Sequence, residues 1–239
     1  MARAPGVVAG LSAFRRVFVL FDPAVSVSVA VSDGTAVETG TVMAEVRGPA
    51  RSILTAERTA LNILQHLSGI ATLTRRFVDA CDGTGSQILC TRKTLPGLRS
   101  LERYAVAAGG GRLHRGGLDD GVLIKRNHLR LAGGVEEAVS RAKAGAPHTL
   151  RIEVEVETLD ELDQALAAGA DAILLDNADL PKMKEAASRC AGRVPLEISG
   201  GVDLDTVGEI AAVGDVLISV GRLTHSAPAL DIALEVSPA

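Results

Sequence analysis

Aromatic side chains are scarce in this chain: Phe14, Phe18, Phe21, Phe77 and Tyr104 make up 2% of the residues, and tryptophan is absent. Binders of single-stranded nucleic acid stack bases on aromatic rings, and few are on offer here. A surplus of positive charge is also missing. The formal net charge is -4 at pH 7, which argues against a broad electrostatic grip on DNA or RNA. Long apolar runs are missing too, so no membrane-crossing helix is expected. The three cysteines, Cys81, Cys90 and Cys190, are far apart and form no CxxC, which leaves neither a disulfide framework nor a zinc site. The first ten residues lack the charged-then-apolar layout of a signal peptide. A reducing compartment follows, and the cytoplasm is the expected location.

What is present describes a folded protein with a core: 239 residues, 47% hydrophobic and 23% charged, with 25 glycines that favour tight turns and close backbone packing. Residues 25–31 alternate valine with serine or alanine, the period-two mark of a half-buried strand, and Asp33-Gly34 follows as a turn. Residues 1–48 are expected to form a small α/β sandwich layer, with a helix near 11–20 and room for the C-terminal segment to return to it. From Pro49 the period becomes helical. One helix is expected up to Gly69 and a second over 71–80.

Beyond that point apolar runs at 87–90, 122–124, 152–156, 172–175, 194–198 and 216–220 alternate with helical candidates at 98–108, 135–144, 159–168, 182–190 and 204–213. Thr158 and Glu161 form a capping box for one of them. Alternation of this kind indicates parallel βα units. Every apolar run ends in a polar or glycine-bearing segment, as the mouth of a barrel requires and a doubly wound sheet does not. Residues 49–239 are therefore expected to form a parallel α/β barrel.

The strand ends carry the chemistry. Ser199-Gly200-Gly201 and Ser219-Val220-Gly221 follow the last two runs, where backbone N–H groups of barrel loops cradle phosphate. Arg92-Lys93, Lys125 and, after a glycine run, His114-Arg115 place several cations at successive ends. Cations gathered in a cavity need an anion to meet them. Glu153, Glu155 and Glu157 alternate on one strand and face one side; Glu155 and Asp176 are candidates for holding Mg2+, directly or through water, or for binding ribose hydroxyls. A phosphorylated sugar and a second anionic reactant fit such a site. His66, His128, His148 and His225 show no metal spacing. His66 reads as structural or interfacial, and His225 as a weak site candidate.

The segments TAERTALNILQHLSGIATLTRRFVDA, TRKTLPGLRSLERYAVAAGGG, HRGGLDDGVLIK, IEVEVETLDEL, AGADAILLDN, LEISGG and ISVGRLTHSAPALDIAL, in this order, closely resemble the carboxylating nicotinate-nucleotide pyrophosphorylases, or quinolinate phosphoribosyltransferases. The resemblance runs from about Val8 to Leu234. It implies a small α/β sandwich followed by an incomplete α/β barrel. It also implies transfer of phosphoribose from phosphoribosyl pyrophosphate to quinolinate, with loss of CO2, to give nicotinate mononucleotide in NAD biosynthesis. By the matching motifs, Arg92, His114 and Arg115 would hold the quinolinate carboxylates, with Lys125 nearby. Arg58 would reach into the partner's site of a homodimer. Lys93, Lys125, Glu155 and Asp176 would be the catalytic set, around ribose and Mg2+–pyrophosphate. Ser199, Gly200, Gly201, Ser219 and Gly221 would hold the 5′-phosphate.

The sequence departs from the family pattern at three places: Leu113 where Asn is usual, Arg126 where an acid is usual, and Cys90 where Asp is usual. An inward-facing Arg126 would disturb metal or pyrophosphate handling. The family also carries a few dozen more residues ahead of the VVAG region. A misplaced start or a shortened paralogue with altered ligand or no catalysis, such as a molybdenum-transport-associated homologue, is the alternative. That branch usually lacks the lysine present here as Lys125.

Overall fold

Valine alternation near the start and helical spacing after Pro49 become defined elements in the computed structural model, which describes residues 1–237. In chain order these are β1 (Gly6–Val7), α1 (Leu11–Phe21), β2 (Ser26–Val29), β3 (Ala36–Val37), β4 (Ala44–Arg47), α2 (Ala50–Asp79), β5 (Gln87–Leu89), α3 (Arg99–Ala108), β6 (Val122–Ile124) and α4 (Arg126–Ala132). They continue as α5 (Val135–Gly145), β7 (Ile152–Val156), α6 (Leu159–Ala167), β8 (Ala172–Asp176), α7 (Leu180–Cys190), β9 (Leu196–Ser199), α8 (Val207–Ala211), β10 (Leu217–Ser219) and α9 (Arg222–His225). None of the helices among the described residues is long and apolar enough to cross a membrane.

The chain forms two compact units. The first comprises Met1–Arg76, Lys93–Arg112 and the segment from Arg222 onward; the second comprises Phe77–Arg92 and Leu113–Gly221. In the first, β1 pairs antiparallel with β3 and β2 with β4. Phe14 and Phe18 meet edge to face, with ring centroids 5.2 Å apart, in a core shared with Met43, Ile53, Leu61, Leu64, Leu230 and Ile232. The chain's end closes this unit. Ala2 bridges Ile232, and the Met1 amino group donates to the Ala233 carbonyl at 2.8 Å.

Gly69 does not end a helix, as its composition suggests. Helix α2 runs unbroken through it for 30 residues. A Cβ at position 69 would overlap the Pro228 carbonyl oxygen and stand 3.0 Å from Ala229 Cα. The glycine is there for close backbone approach, and the helical run on both sides offsets its unfavourable propensity.

The second unit holds one six-stranded parallel sheet in the order β5-β10-β9-β8-β7-β6. The first strand pairs with the last, and the others follow in sequence. That is a barrel's circular order with one pairing, β5 to β6, left open; a doubly wound sheet would carry its first strand inside the sheet. A cavity of about 380 Å3 takes one residue from each of the six strands: Leu89, Val122, Glu153, Ala172, Glu197 and Leu217. The incomplete barrel expected from the sequence is the observed fold. The Thr158–Glu161 capping box also forms, with both reciprocal hydrogen bonds. Helix α4 has no counterpart among the expected helices, because seven residues with three basic side chains show no apolar period.

Candidate functional site

Strand β7 sets the geometry. Ile152, Val154 and Val156 are buried against the helical layer, so Glu153 and Glu155 share the other face; Glu157, expected on the same strand, falls one residue past its end. Each meets a different cation. Glu155 Oε2 accepts from Lys125 Nζ at 2.7 Å, and its Oε1 faces the Arg126 N–H at 3.4 Å. Glu157 pairs with the Arg126 guanidinium. Both side chains are nearly half exposed, so the reversed charge at position 126 is spent on a rim ion pair. Lys125 caps α4 from the other side: its N–H donates to His128 Nδ1 at 3.0 Å.

Glu153 lies deeper. His114 Nε2 stands 3.3 Å from Glu153 Oε2 and 3.2 Å from Glu197 Oε2. Side-chain exposures of 14%, 13% and 3% for His114, Glu153 and Glu197 place the cluster inside the sheet's concavity. Hydrogen bonds to Glu153 and then Glu197 push the His114 pKa up to about 10, while burial raises that of Glu153. The Arg115 N–H lies 2.7 Å from His114 Nδ1.

Arg115 is half-buried beside this cluster. Burial, and next the charge of Arg92, pull its pKa below the ordinary arginine value, with Glu153 and Asp120 opposing. The charge of Arg92, just past the end of β5, is therefore felt at Arg115. Arg115 Nη1 donates to the Gly121 carbonyl at 2.9 Å, and Asp120 accepts the N–H groups of Gly116 and Gly117, which folds the loop that presents His114 and Arg115.

At the C-terminal ends of β8 and β9 the backbone adopts rare conformations. Gly200 has φ +95° and Gly201 φ +62°, and Asn177, a residue with a Cβ, has φ +52°. A Cβ on Gly200 would come within 2.8 Å of the Asn177 N, whereas Gly201 faces open space. Asn177 ties the two ends together: its N–H donates to the Ser199 carbonyl at 2.9 Å and its Nδ2 to Asp176 Oδ2 at 2.8 Å. Left-handed backbone of this kind concentrates at ligand clamps. Ser219 is buried at the end of β10, and Gly221 follows it.

The second unit thus holds Arg92, His114, Arg115, Lys125, Glu155, Asp176, Ser199, Gly200, Gly201, Ser219 and Gly221 on strand ends or on the loop before β6. The first unit holds Arg58, exposed on α2, and Lys93, whose carbonyl accepts from Thr224 Oγ1 at 2.8 Å. In the first unit Glu102, fully buried, accepts from His66 Nε2 at 2.8 Å and from the Leu95 N–H at 3.2 Å, so His66 is structural. His225 Nδ1 lies against Ser226 Oγ at 2.5 Å. Of the three departures, Cys90 is fully buried in the core and Leu113 is half exposed on the cavity lining. Sequence reasoning passed over Glu197, which was visible as a charge inside an apolar run; Asn177 was read only with Asp176 as a polar strand end, with no sign of its backbone angle.

The second unit is thus an incomplete parallel α/β barrel with cations and carboxylates at its strand ends and glycine loops after its last two strands. Comparison narrows the class. The pattern for the quinolinate phosphoribosyl transferase N-terminal domain matches residues 1–68, and that for the C-terminal domain matches residues 70–235. The chain belongs to the quinolinate phosphoribosyl transferase family. It is 43% identical over 237 residues to the Bacillus subtilis strain 168 protein named probable nicotinate-nucleotide pyrophosphorylase (carboxylating), covering 99% of this chain and 82% of that one. It is 44% identical to the nicotinate-nucleotide pyrophosphorylase (carboxylating) of Mycobacterium leprae strain TN, covering 98% of this chain and 84% of the relative. Among solved structures, NadC from Streptococcus pyogenes superposes with a TM-score of 0.92 at 44% identity, over 96% of this chain and 81% of that one.

Proposed function

We propose that this protein is a carboxylating nicotinate-nucleotide pyrophosphorylase. It transfers phosphoribose from phosphoribosyl pyrophosphate to the ring nitrogen of quinolinate and releases pyrophosphate and CO2. The product is nicotinate mononucleotide, a step of NAD biosynthesis, and the cytoplasm is the expected setting. Beside the family membership, one observation supports the reading most directly: Arg92, just past β5, and Arg115, on the loop before β6, both belong to the second unit, and after burial it is the charge of Arg92 that pulls the Arg115 pKa down. Like charges held together favour a dianion between them, and quinolinate carries two adjacent carboxylates.

The residues divide the work as follows. Arg92 and Arg115 would grip the carboxylates, with Lys125 close by and Arg58 contributed by the partner subunit of a homodimer. Ser199, Gly200, Gly201, Ser219 and Gly221 would take the 5′-phosphate on backbone N–H groups. Departure of pyrophosphate leaves an oxocarbenium-like ribose, whose positive charge Glu155 and Asp176 would stabilise. Lys93 and Lys125 would offset the charge of the leaving group. After transfer, loss of the 2-carboxylate leaves an electron pair on ring carbon 2. The positively charged pyridinium nitrogen and the neighbouring guanidinium groups favour that carbanion until it takes a proton.

Glu155 and Asp176 fit a magnesium ion: they offer only carboxylate oxygens, on adjacent strands, which is the donor chemistry a hard cation selects. Bound there, directly or through water, Mg2+ would neutralise charge on pyrophosphate. The altered-ligand alternative finds no support in the site, since Lys125, which that branch usually lacks, is present and paired with Glu155.

The reading is tested by incubating the protein with quinolinate, phosphoribosyl pyrophosphate and Mg2+ and following nicotinate mononucleotide and CO2 together. Equal yields of the two are expected. Absence of both, with folded protein, overturns it.

A further inference from the structure

Residue 177 directly follows β8, which ends at Asp176. Successive side chains of an extended strand point to opposite faces, so an extended Asn177 would carry its amide away from the Asp176 carboxylate. The backbone turns left-handed instead, with φ +52°, and Asn177 Nδ2 donates to Asp176 Oδ2 at 2.8 Å. That bond engages one carboxylate oxygen and not the other. In the same conformation the Asn177 N–H donates to the Ser199 carbonyl at 2.9 Å, beside the Asp176–Ser199 register of β8 and β9. The side chain also lies over Gly200, where a Cβ would overlap Asn177 Oδ1 and stand 2.7 Å from its Cγ. One residue thus touches the acid proposed to meet ribose and Mg2+, and the first two members of the loop proposed to take the 5′-phosphate.

The residue type at this position is narrowly set. Glycine, asparagine and aspartate enter left-handed backbone most readily. Glycine has no side chain to donate, and aspartate would set a second negative charge beside Asp176. Of the three, asparagine supplies a neutral donor, which orients the carboxylate without cancelling the charge that a cation seeks. Carboxylates that hold a metal are regularly oriented by a neighbour's hydrogen bond in this way. Packing does not account for the residue, since Asn177 is exposed. Rare backbone held at a strand end is the kind of outlier from which function is inferred.

We propose that Asn177 is a positioning residue for the phosphoribosyl pyrophosphate half of the site. Its amide fixes the orientation of the Asp176 carboxylate, and its backbone ties that acid to the Ser199–Gly201 loop. The inference rests on the function proposed above and adds one residue to it.

The test is binding calorimetry on the full-length protein with two separate titrants. Phosphoribosyl pyrophosphate is titrated with Mg2+ present and quinolinate absent; quinolinate is titrated alone. In Asn177→Gly the amide is lost but the left-handed turn is kept, so the urea midpoint should change little. The Kd for phosphoribosyl pyrophosphate should nevertheless rise about tenfold, the lower end of the loss expected when the partner of a metal-binding carboxylate is removed. The Kd for quinolinate should stay within about twofold, which also shows that the variant is folded. Asn177→Ala should show the same tenfold rise together with a lower urea midpoint, because alanine resists the left-handed backbone. Either variant can carry the test if the other does not fold. In steady-state assays the Mg2+ concentration giving half the maximal rate should rise in both. Wild-type affinity for phosphoribosyl pyrophosphate in a folded variant would show that residue 177 serves the turn alone, and would overturn the proposal. So would equal losses of affinity for the two titrants. If the unmodified protein binds neither titrant and makes no nicotinate mononucleotide, the functional reading fails and this inference falls with it; active wild type with unaffected variants sinks the positioning role alone.

Discussion

Glu153 and Glu157 stand four residues apart, one within β7 and one just past its end, and they sit in different media. Glu153 is 13% exposed and shares His114 with Glu197; Glu157 is 42% exposed and pairs with Arg126. In the interior, each ion has given up water and depends on its partner, so loss of one partner strands the rest. At the rim, water can replace either partner, and the pair contributes little. Glu155 stands between them: its own side chain is 14% exposed while that of Lys125 is 52% exposed. The strand and the residue just past it thus carry a gradient from structural dependence to solvent indifference. Charge alone does not tell these three glutamates apart; depth does.

The comparison can be broken most sharply from the inside. His114→Ala leaves two buried carboxylates without their shared donor and should cost about 3 kcal/mol or more of stability, read by urea denaturation. A loss below about 1 kcal/mol would mean that water enters the cluster freely. The same cluster predicts a pH effect. A histidine whose folded pKa is raised contributes stability that is fully present below its ordinary value near 6.5. That contribution is lost as pH rises through about 10. The urea midpoint of the wild type should therefore fall across that window, and that of a folded His114→Gln variant should fall less. Parallel profiles would contradict the assignment.

Lys125→Ala tests the middle of the gradient. Its pair is half in water, so stability should change by no more than about 1 kcal/mol. Activity should nevertheless drop about a hundredfold in kcat/KM for phosphoribosyl pyrophosphate, the substrate whose leaving group Lys125 is proposed to meet. A comparable loss of stability would make Lys125 a structural residue. The smallest effect is expected at the rim. Arg126→Ala should shift stability by less than about 0.5 kcal/mol and activity by less than about twofold. A larger gain in activity would show that the Arg126 guanidinium reaches the reactants rather than Glu157.

Much of this was legible before the structure. Short apolar runs alternating with helical segments placed all six strands of the sheet, and the polar ends of those runs indicated a barrel. Alternation at 153 and 155 foretold a shared face, because strand geometry dictates it, whereas Glu157 falls past the strand's end. Other features depended on contacts remote in sequence. The helix expected to stop at Gly69 continues because that glycine serves backbone atoms at Pro228 and Ala229. His114 was assigned to quinolinate by the family resemblance; its carboxylate partners come from β7 and β9, which no local pattern connects to it. Asn177 owes its place to a backbone angle, and short polar side chains tolerate that angle without advertising it.

The closure of the first unit by the chain's last residues has a bearing on synthesis. Helix α2 is made early, but the backbone that covers Gly69 is about 160 residues away, and the strand partner of Ala2 is Ile232. The second unit lies entirely between, ending at Gly221. On the ribosome, the parallel sheet can therefore assemble while the first unit still lacks its final segment, with Phe14, Phe18 and Leu64 awaiting Leu230 and Ile232. Such distant contacts slow the last stage of folding. A chain that has not yet reached Leu230 would carry an uncovered apolar surface on its first unit, which makes the segment around Leu230 and Ile232 the cover of that unit.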